Sequence, residues 1–316
     1  MPVLLDLRQV STSHLELLLA EQNAVWMSRF NWDLSASSEM LIRLIRMQSL
    51  TGFALAGEDR VDGFCYYVTD ERKGLIGDLF VTGTGPEAAE GEIRLLAASL
   101  RALAATPMIS RVETQFLMLS AGARARLPYP LLMQPFERLF LKLPASRAEA
   151  LPPRNGTAAE FYNWHPREHE AAARLIVSSY RDHVDARIND QYRSVAGSRK
   201  FIDNLLQYPG CGSFFEKASI IAIDAVSGKL IGLALASLVA YDSGHITQVC
   251  VLPEAQRRGL GFELVRRAAT ALAQANCRSI SLTVTASNLD AVRLYDRMGF
   301  EVADRFEAFV WEGIGR

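Results

Sequence analysis

One order of strands and helices runs twice along this 316-residue chain, on either side of a single break over residues 144–156 (PASRAEALPPRNG). There prolines, small residues and charges replace the periodic apolar pattern. The period is far too long for a solenoid, so two copies of one α/β unit are the economical explanation. In the second copy, 168–180 and 195–206 carry helical patterning, the first with Pro166 at its opening turn. The runs 218–223, 229–239 and 246–252 are β-rich, and Pro253 stops the third. Over 262–275, Leu264, Val265, Ala268, Leu272 and Ala273 fall at the spacing of a one-faced helix. Residues 279–285 alternate as a strand, 289–298 form a short helix ended by Gly299, and 305–311 form a last strand. The first copy has strands at 60–68, 75–81, 111–119 and 136–143 and a helix at 92–104. The expected division is residues 1–145, a linker over 146–157, and 158–316.

Composition narrows the function. Net charge is −1, with 15 basic against 17 acidic residues in 1–150 and 19 against 18 in 151–316. Neither half has the basic excess that counterion release from nucleic acid exploits, so no nucleic-acid partner is expected. No apolar run approaches the roughly 18–20 residues of a membrane helix, so no membrane partner is expected either. Cys65, Cys211, Cys250 and Cys277 are scattered without a C-x-x-C pair. That argues for reduced thiols and a cytoplasmic address.

Between the strand ending at Val251 and the helix near Phe262 lies Pro253-Glu254-Ala255-Gln256-Arg257-Arg258-Gly259-Leu260-Gly261. A strand that ends in a glycine-bearing loop and opens into a helix offers free backbone N–H groups and the positive end of the helix dipole, which together attract an anion. The arginines add charge, and Gly259 and Gly261 let a phosphate approach the backbone. No Gly-Lys-Ser/Thr follows, and position 264 is Leu, so neither the Walker nor the dinucleotide fingerprint fits. What remains is Gln256-x-x-Gly259-x-Gly261, which a helix-capping loop would also satisfy.

The segment 279–297 (SISLTVTASNLDAVRLYDR), followed by Met298-Gly299-Phe300-Glu301, supplies a second motif downstream. Together the two resemble the acyl-CoA site of the Gcn5-related N-acetyltransferase (GNAT) superfamily. The resemblance covers 158–316 by motif and the first half by element order, in a layout similar to that of mycothiol synthase. It implies an α/β (α+β) fold of two tandem GNAT-like domains, each a mixed, mainly antiparallel sheet flanked by helices. It also implies that Val249, Cys250 and Val251 pair with pantetheine through their backbone. Gln256, Arg257, Arg258, Gly259, Leu260, Gly261 and Phe262 would hold the pyrophosphate, and Asn288 would contact the pantetheine arm. Tyr295 would protonate the departing thiolate while the amine attacks the thioester directly. Acetyl-CoA is the implied co-substrate, with no metal.

Two departures limit the resemblance. Relatives that acetylate ribosomal-protein N-termini place a glutamate base where this chain has Thr283, which cannot take a proton at neutral pH. Replacement candidates are His245, Asp242, His183 and Asp185, with a chain of waters as the further alternative. In the first half, laying Val81 on Val251 replaces Gln256 by Pro86, Gly259 by Ala89 and the arginines by Glu87 and Ala88. That acidic stretch predicts a degenerate copy without a productive CoA site. His165-Pro166-Arg167-Glu168-His169 matches a zinc-peptidase pattern, but Pro166 leaves His165 at a helix cap, so no metal is expected. Phe161, Tyr162 and Trp164 read as packing residues.

The resulting expectation is an N-acetyltransferase acting on a small-molecule or peptide amine, with His183, Asp185 and Tyr192 lining the acceptor site. The alternatives are a non-catalytic acyl-CoA-binding or regulatory module, and an N-terminal or lysine acetyltransferase acting on peptides.

Overall fold

The computed structural model describes residues 2–154 and 159–315, so 155–157 of the expected linker lie outside the described residues. The chain begins with β1 (Val3–Asp6), α1 (Thr12–Phe30), α2 (Ser35–Arg46), β2 (Thr51–Ala56), β3 (Val61–Asp70) and β4 (Lys73–Val81). Then come α3 (Pro86–Ala105), β5 (Arg111–Phe116), α4 (Ala121–Arg124), β6 (Met133–Pro144) and α5 (Ala145–Glu149). It continues with β7 (Ala159–Asn163), α6 (His169–Tyr180), α7 (Asp185–Ile188), α8 (Val195–Gln207), β8 (Ser213–Phe214), β9 (Ile220–Asp224) and β10 (Leu230–Ala240). The last elements are β11 (Ser243–Val251), α9 (Leu260–Gln274), β12 (Ser279–Thr285), α10 (Leu289–Met298) and β13 (Glu301–Glu312). No helix among the described residues is long and apolar enough to cross a membrane.

The contacts divide the chain into two compact units, Met1–Phe30 with Leu34–Glu137 and Phe306–Arg316, and Asn31–Asp33 with Arg138–Arg305. This departs from the expected chain-order boundaries at the last strand of each half. Residues 146–149, expected as linker, form α5 together with Ala145, because Ala148 is small enough to bury fully and its carbonyl accepts from Thr270 Oγ1 of α9 at 3.4 Å.

The first unit has strand order β1-β2-β3-β4-β5-β13, antiparallel except for the parallel pair β4 and β5. Leu95, Leu96, Leu100 and Leu103 of α3 pack with Trp311, while α1 and α2 bury Leu15, Leu18, Leu19, Ile42 and Ile45 in a second cluster. Each such leucine contributes about 1.5–3 kcal/mol by leaving water.

The second unit repeats the plan as β7-β9-β10-β11-β12-β6, again with one parallel pair, β11 and β12, and with β8 also on β10. Leu264, Val265, Ala268 and Leu272 of α9 are fully buried in its core, the face that the apolar spacing marks. One irregularity prepares the site. The register between β10 and β11 shifts at Leu235/Ala236 and leaves Thr247 unmatched, with its Oγ1 donating to Leu235 O at 3.0 Å. The parallel pairing ends at Ile246 opposite Leu282, although β11 runs on to Val251 and β12 to Thr285. A bulge bends its strand, so the two ends diverge and leave an open edge between them.

Candidate active site

Strand alternation decides what that edge presents. Leu252 N–H bonds to Ile231 O of β10 at 2.9 Å, so Cys250 also turns its peptide groups toward β10, while Val249 and Val251 turn theirs toward the gap. Tyr180 Oη donates to Val249 O at 3.2 Å, and Gln256 Nε2 donates to Val251 O at 3.1 Å. Of the three residues expected to pair with pantetheine through their backbone, two therefore face the gap. Cys250 is buried, and burial pushes its thiol up to about 12, which keeps it protonated.

Past Val251 the chain makes a 3₁₀ turn over Pro253–Ala255, and Arg257 (φ 61°) and Gly259 (φ 83°) both take the left-handed conformation before α9 begins. The first backbone bond of α9 runs from Glu263 N–H to Gly259 O at 3.1 Å. Among the described residues, the N–H groups of 257–262 have no protein acceptor. That row of free donors at a helix N-terminus makes the expected loop an anion cradle. Glycine is favoured at 259 on two counts. Its φ of 83° strains an ordinary side chain, and a Cβ there would stand 3.0 Å from Arg154 Cδ and 3.1 Å from Arg154 Nη1.

Arg154 is a residue that sequence reasoning missed. Its guanidinium lies 5.6 Å from the Phe262 ring centroid, and its backbone N–H donates to Glu263 Oε2 at 3.2 Å. The Glu263 oxygens are taken by Arg266 at 2.6 and 2.8 Å and by Arg267 at 2.7 Å. Burial pushes this carboxyl upward, but those partners outweigh it and hold it below the ordinary range. Among the described residues no carboxylate pairs with Arg154, so its charge adds to the positive pole of α9.

Across the gap, Asn288 caps α10, its Oδ1 accepting from Ala291 N–H at 3.3 Å. Tyr295, on the same helix, is buried with its ring 5.7 Å from that of Phe300. The helix ends at Gly299 (φ 87°), with Phe300 N–H bonded to Tyr295 O at 3.0 Å, which fixes the tyrosine's backbone. Burial raises the phenol well above its usual range, Asp185 adds to the rise, and Arg138 opposes it. The hydroxyl therefore carries its proton at neutral pH, as an acid must.

The three expected acceptor residues gather beside these groups. His183 Nε2 lies 3.1 Å from Asn288 Nδ2, and its ring stands edge-on to Tyr180 at 5.1 Å. Tyr192 stacks on Tyr180 at 4.6 Å, and the buried Gln248 joins the two phenols, donating to Tyr180 Oη at 2.8 Å and accepting from Tyr192 Oη at 3.2 Å. Asp185 Oδ1 accepts from Thr285 Oγ1 and from Arg138 Nη1, the latter at 3.2 Å. Arg138 Nη2 donates to Thr283 Oγ1 at 3.2 Å. Thr283 thus has a guanidinium beside it, and a threonine hydroxyl accepts that bond without adding charge.

His245 is placed differently. It is 5% exposed, with Nδ1 2.9 Å from Ser281 Oγ and its ring 4.9 Å from that of Trp32 and 6.1 Å from that of Phe140. Burial, aided by the Arg138 charge, holds its pKa down at about 3. An imidazole so reluctant to accept a proton is a poor base, which argues against the expected catalytic role. Asp242 accepts from Asn31 Nδ2 at 3.1 Å. In the peptidase-like motif, His165 caps a 3₁₀ turn and His169 bonds Asp203 at 2.8 Å, so the two histidines serve separate partners.

Residues 180–300 match the Acetyltransferase (GNAT) family. The chain is 35% identical over 96 residues to a mycothiol acetyltransferase of Mycobacterium sp. (strain JLS), covering 29% of this chain and 32% of that protein. It is 30% identical over 90 residues to the N-alpha-acetyltransferase MAK3 of Arabidopsis thaliana, covering 28% of this chain and 47% of that protein. The chain thus spans less than half the length of either relative. Among solved structures, a tandem GNAT protein from the clavulanic acid biosynthesis pathway superposes with a TM-score of 0.67 at 14% identity, covering 98% of this chain and 99% of that one. A GCN5-related N-acetyltransferase from Sphaerobacter thermophilus gives 0.66 at 16% identity, covering 98% and 95%. At those identities the likeness is one of fold.

Proposed function

We propose that this chain, whose second half carries a domain of the acetyltransferase (GNAT) family within a tandem GNAT fold, transfers an acetyl group from acetyl-CoA to a primary amine. The observation that carries this reading is a coincidence at the divergent ends of β11 and β12. A row of free N–H groups over 257–262 lies at one end of an open strand edge, and a proton-bearing Tyr295 lies across the gap.

The residues present suit the co-substrate. The cradle over 257–262, with Arg154 and the two loop arginines, matches a pyrophosphate. The Val249 and Val251 edge and the Asn288 amide suit an extended arm with alternating amide groups. The amine nitrogen forms its bond to the acetyl carbon as the carbon–sulfur bond breaks, and Tyr295 gives its proton to the leaving sulfur. No step requires a cysteine nucleophile, and the protonated Cys250 thiol agrees with that. Tyr180, Tyr192 and Gln248 give the acceptor side a polar, aromatic wall suited to a small amine or an N-terminal peptide amine. The first unit has no productive CoA site in this reading, and the four free cysteines support a cytoplasmic address.

Calorimetric titration with acetyl-CoA tests the reading, and one site per chain is expected. Thr283 beside Arg138 favours a second reading, an acyl-CoA-binding module without turnover. Binding with no thiol release, with water or with any amine of a broad panel, would select that alternative.

A further inference from the structure

The free N–H groups over 257–262 share their helix end with a buried carboxylate. Glu263 stands in the first turn of α9 and is 1% exposed, where its charge opposes any phosphate held on that row. Four hydrogen bonds converge on it, two from Arg266 at 2.6 and 2.8 Å, one from Arg267 at 2.7 Å, and one from the Arg154 backbone N–H at 3.2 Å. The two arginines belong to α9 itself and more than neutralise the carboxylate. The fourth bond reaches 109 residues back along the chain. An acid in a first turn stabilises any helix, but here it does so against anion binding. What it adds to the site is a hold on residue 154.

That hold decides where the Arg154 side chain can go. Arg154 is exposed, and an exposed arginine on a free backbone grips an anion weakly, because it gives up rotamer freedom to do so. Here the backbone is pinned by Glu263, and the guanidinium lies 5.6 Å from the Phe262 ring centroid. Its Nη1 comes within 3.1 Å of where a Cβ on Gly259 would stand. Gly259 and Phe262 both belong to the row of free donors, so the charge is delivered beside that row from a chain segment outside it. Resting on the acetyltransferase reading above, we propose that Arg154 is a further co-substrate-binding residue, gripping the pyrophosphate from outside the Gln256–Gly261 motif, and that Glu263 is its positioning residue. The hold on residue 154 then outweighs the repulsion that the carboxylate brings. Linkage makes the effect reciprocal: whatever factor the tether adds to acetyl-CoA affinity, bound acetyl-CoA adds to the tether.

Calorimetric titration with acetyl-CoA tests both residues. Arg154→Ala should raise Kd about tenfold, and the gap should narrow at high salt, as it does for an exposed charge. The same loss is expected with the 3′-dephospho analogue, because the grip is on the pyrophosphate. The sign of the Glu263→Gln effect separates positioning from charge. On charge alone, removing the carboxylate tightens anion binding. Acting through Arg154, Glu263→Gln instead weakens binding about threefold or more, and does not do so in an Arg154→Ala background. Hydrogen exchange gives a second readout: the Arg154 amide should exchange more slowly once acetyl-CoA is bound. A Kd within about twofold of the unmodified value in Arg154→Ala would overturn the proposal, as would a loss confined to the ligand bearing the 3′-phosphate. No weakening in Glu263→Gln, an equal loss in both backgrounds, or an Arg154 amide indifferent to acetyl-CoA would remove Glu263 as the positioning residue. Absence of acetyl-CoA binding in the unmodified protein would instead sink the acetyltransferase reading, and this inference with it.

Discussion

The two units share a strand order and even a bulge, yet they differ in the stretch that follows β4 in one and β11 in the other. In the first unit the β3 and β4 register shifts between Tyr66 and Tyr67, and the parallel pairing ends at Ile76 opposite Thr114, as it ends at Ile246 opposite Leu282 in the second. After β4, however, α3 begins already at Pro86, behind Gly85 (φ 88°). The stretch that forms the glycine cradle in the second unit is a first helical turn here, opened by a proline with no N–H to give and followed by Glu87. Glu92, the sister of Phe262, turns its buried carboxylate onto Ser120, which caps α4 as Asn288 caps α10. Seven residues beyond the cap stands Leu127 in place of a tyrosine, buried in the core. The lesson is that one additional helical turn and one internal carboxylate suffice to replace a row of free N–H groups while the sheet stays intact.

The comparison can be broken or sharpened by experiment. Trp311 is fully buried and donates through Nε1 to Pro128 O at 2.9 Å in the first unit. Trp311→Ala should cost about 3–5 kcal/mol in the calorimetric transition of that unit while acetyl-CoA binding persists. A parallel loss of binding would show that the units do not behave separately. Gly259→Glu should weaken acetyl-CoA binding by roughly 100-fold or more, since it forces an L residue to positive φ and places a carboxylate in the cradle. Gly85→Ala should leave binding untouched, and any effect there would reveal a site in the first unit. Tyr295→Phe should lower turnover about 100-fold at unchanged acetyl-CoA affinity, measured by thiol release and calorimetry together.

A smaller effect separates the units by pH. Folded, His245 binds a proton only near 3, whereas in an unfolded chain it does so near 6.5. Between those values the unfolded state holds more protons, so stability falls as pH drops below about 6.5. The sister position is Leu75. His245→Phe should flatten this dependence in thermal melts, because Ser281 Oγ keeps its bond to Gly244 O at 3.2 Å. An unchanged pH profile would remove His245 as the cause. Smallest of all, Cys250→Ala should retain activity within about twofold.

Much of this was legible in residue order. The strand 279–285 and the helix 289–298 coincide with the observed elements, because alternation and a glycine stop are local signals. The start of α3 is missed at 92 although Pro86-Glu87-Ala88-Ala89 carries the signal of a proline-opened helix. Helices α1 and α2 and strands β1, β2 and β7 are further elements that periodicity did not mark. Arg138 could not be found from sequence. It meets Thr283 and Asp185 only because β6 pairs with β12, and alternation says which face a strand buries but not which partner it takes. Arg154 sits among prolines, where no period exists to place it.

The borrowed last strands carry a consequence for how the protein is made. Phe116 of β5 finds its partner in Glu307, and the row closes only at Arg111 opposite Glu312. A ribosome therefore releases the first unit with one sheet edge bare, and that edge stays open until the final strand emerges. The second unit already has β6 in hand when β12 is synthesised. The half that is translated first is the half completed last, and through that interval a chaperone, or a neighbouring nascent chain, can reach the bare edge.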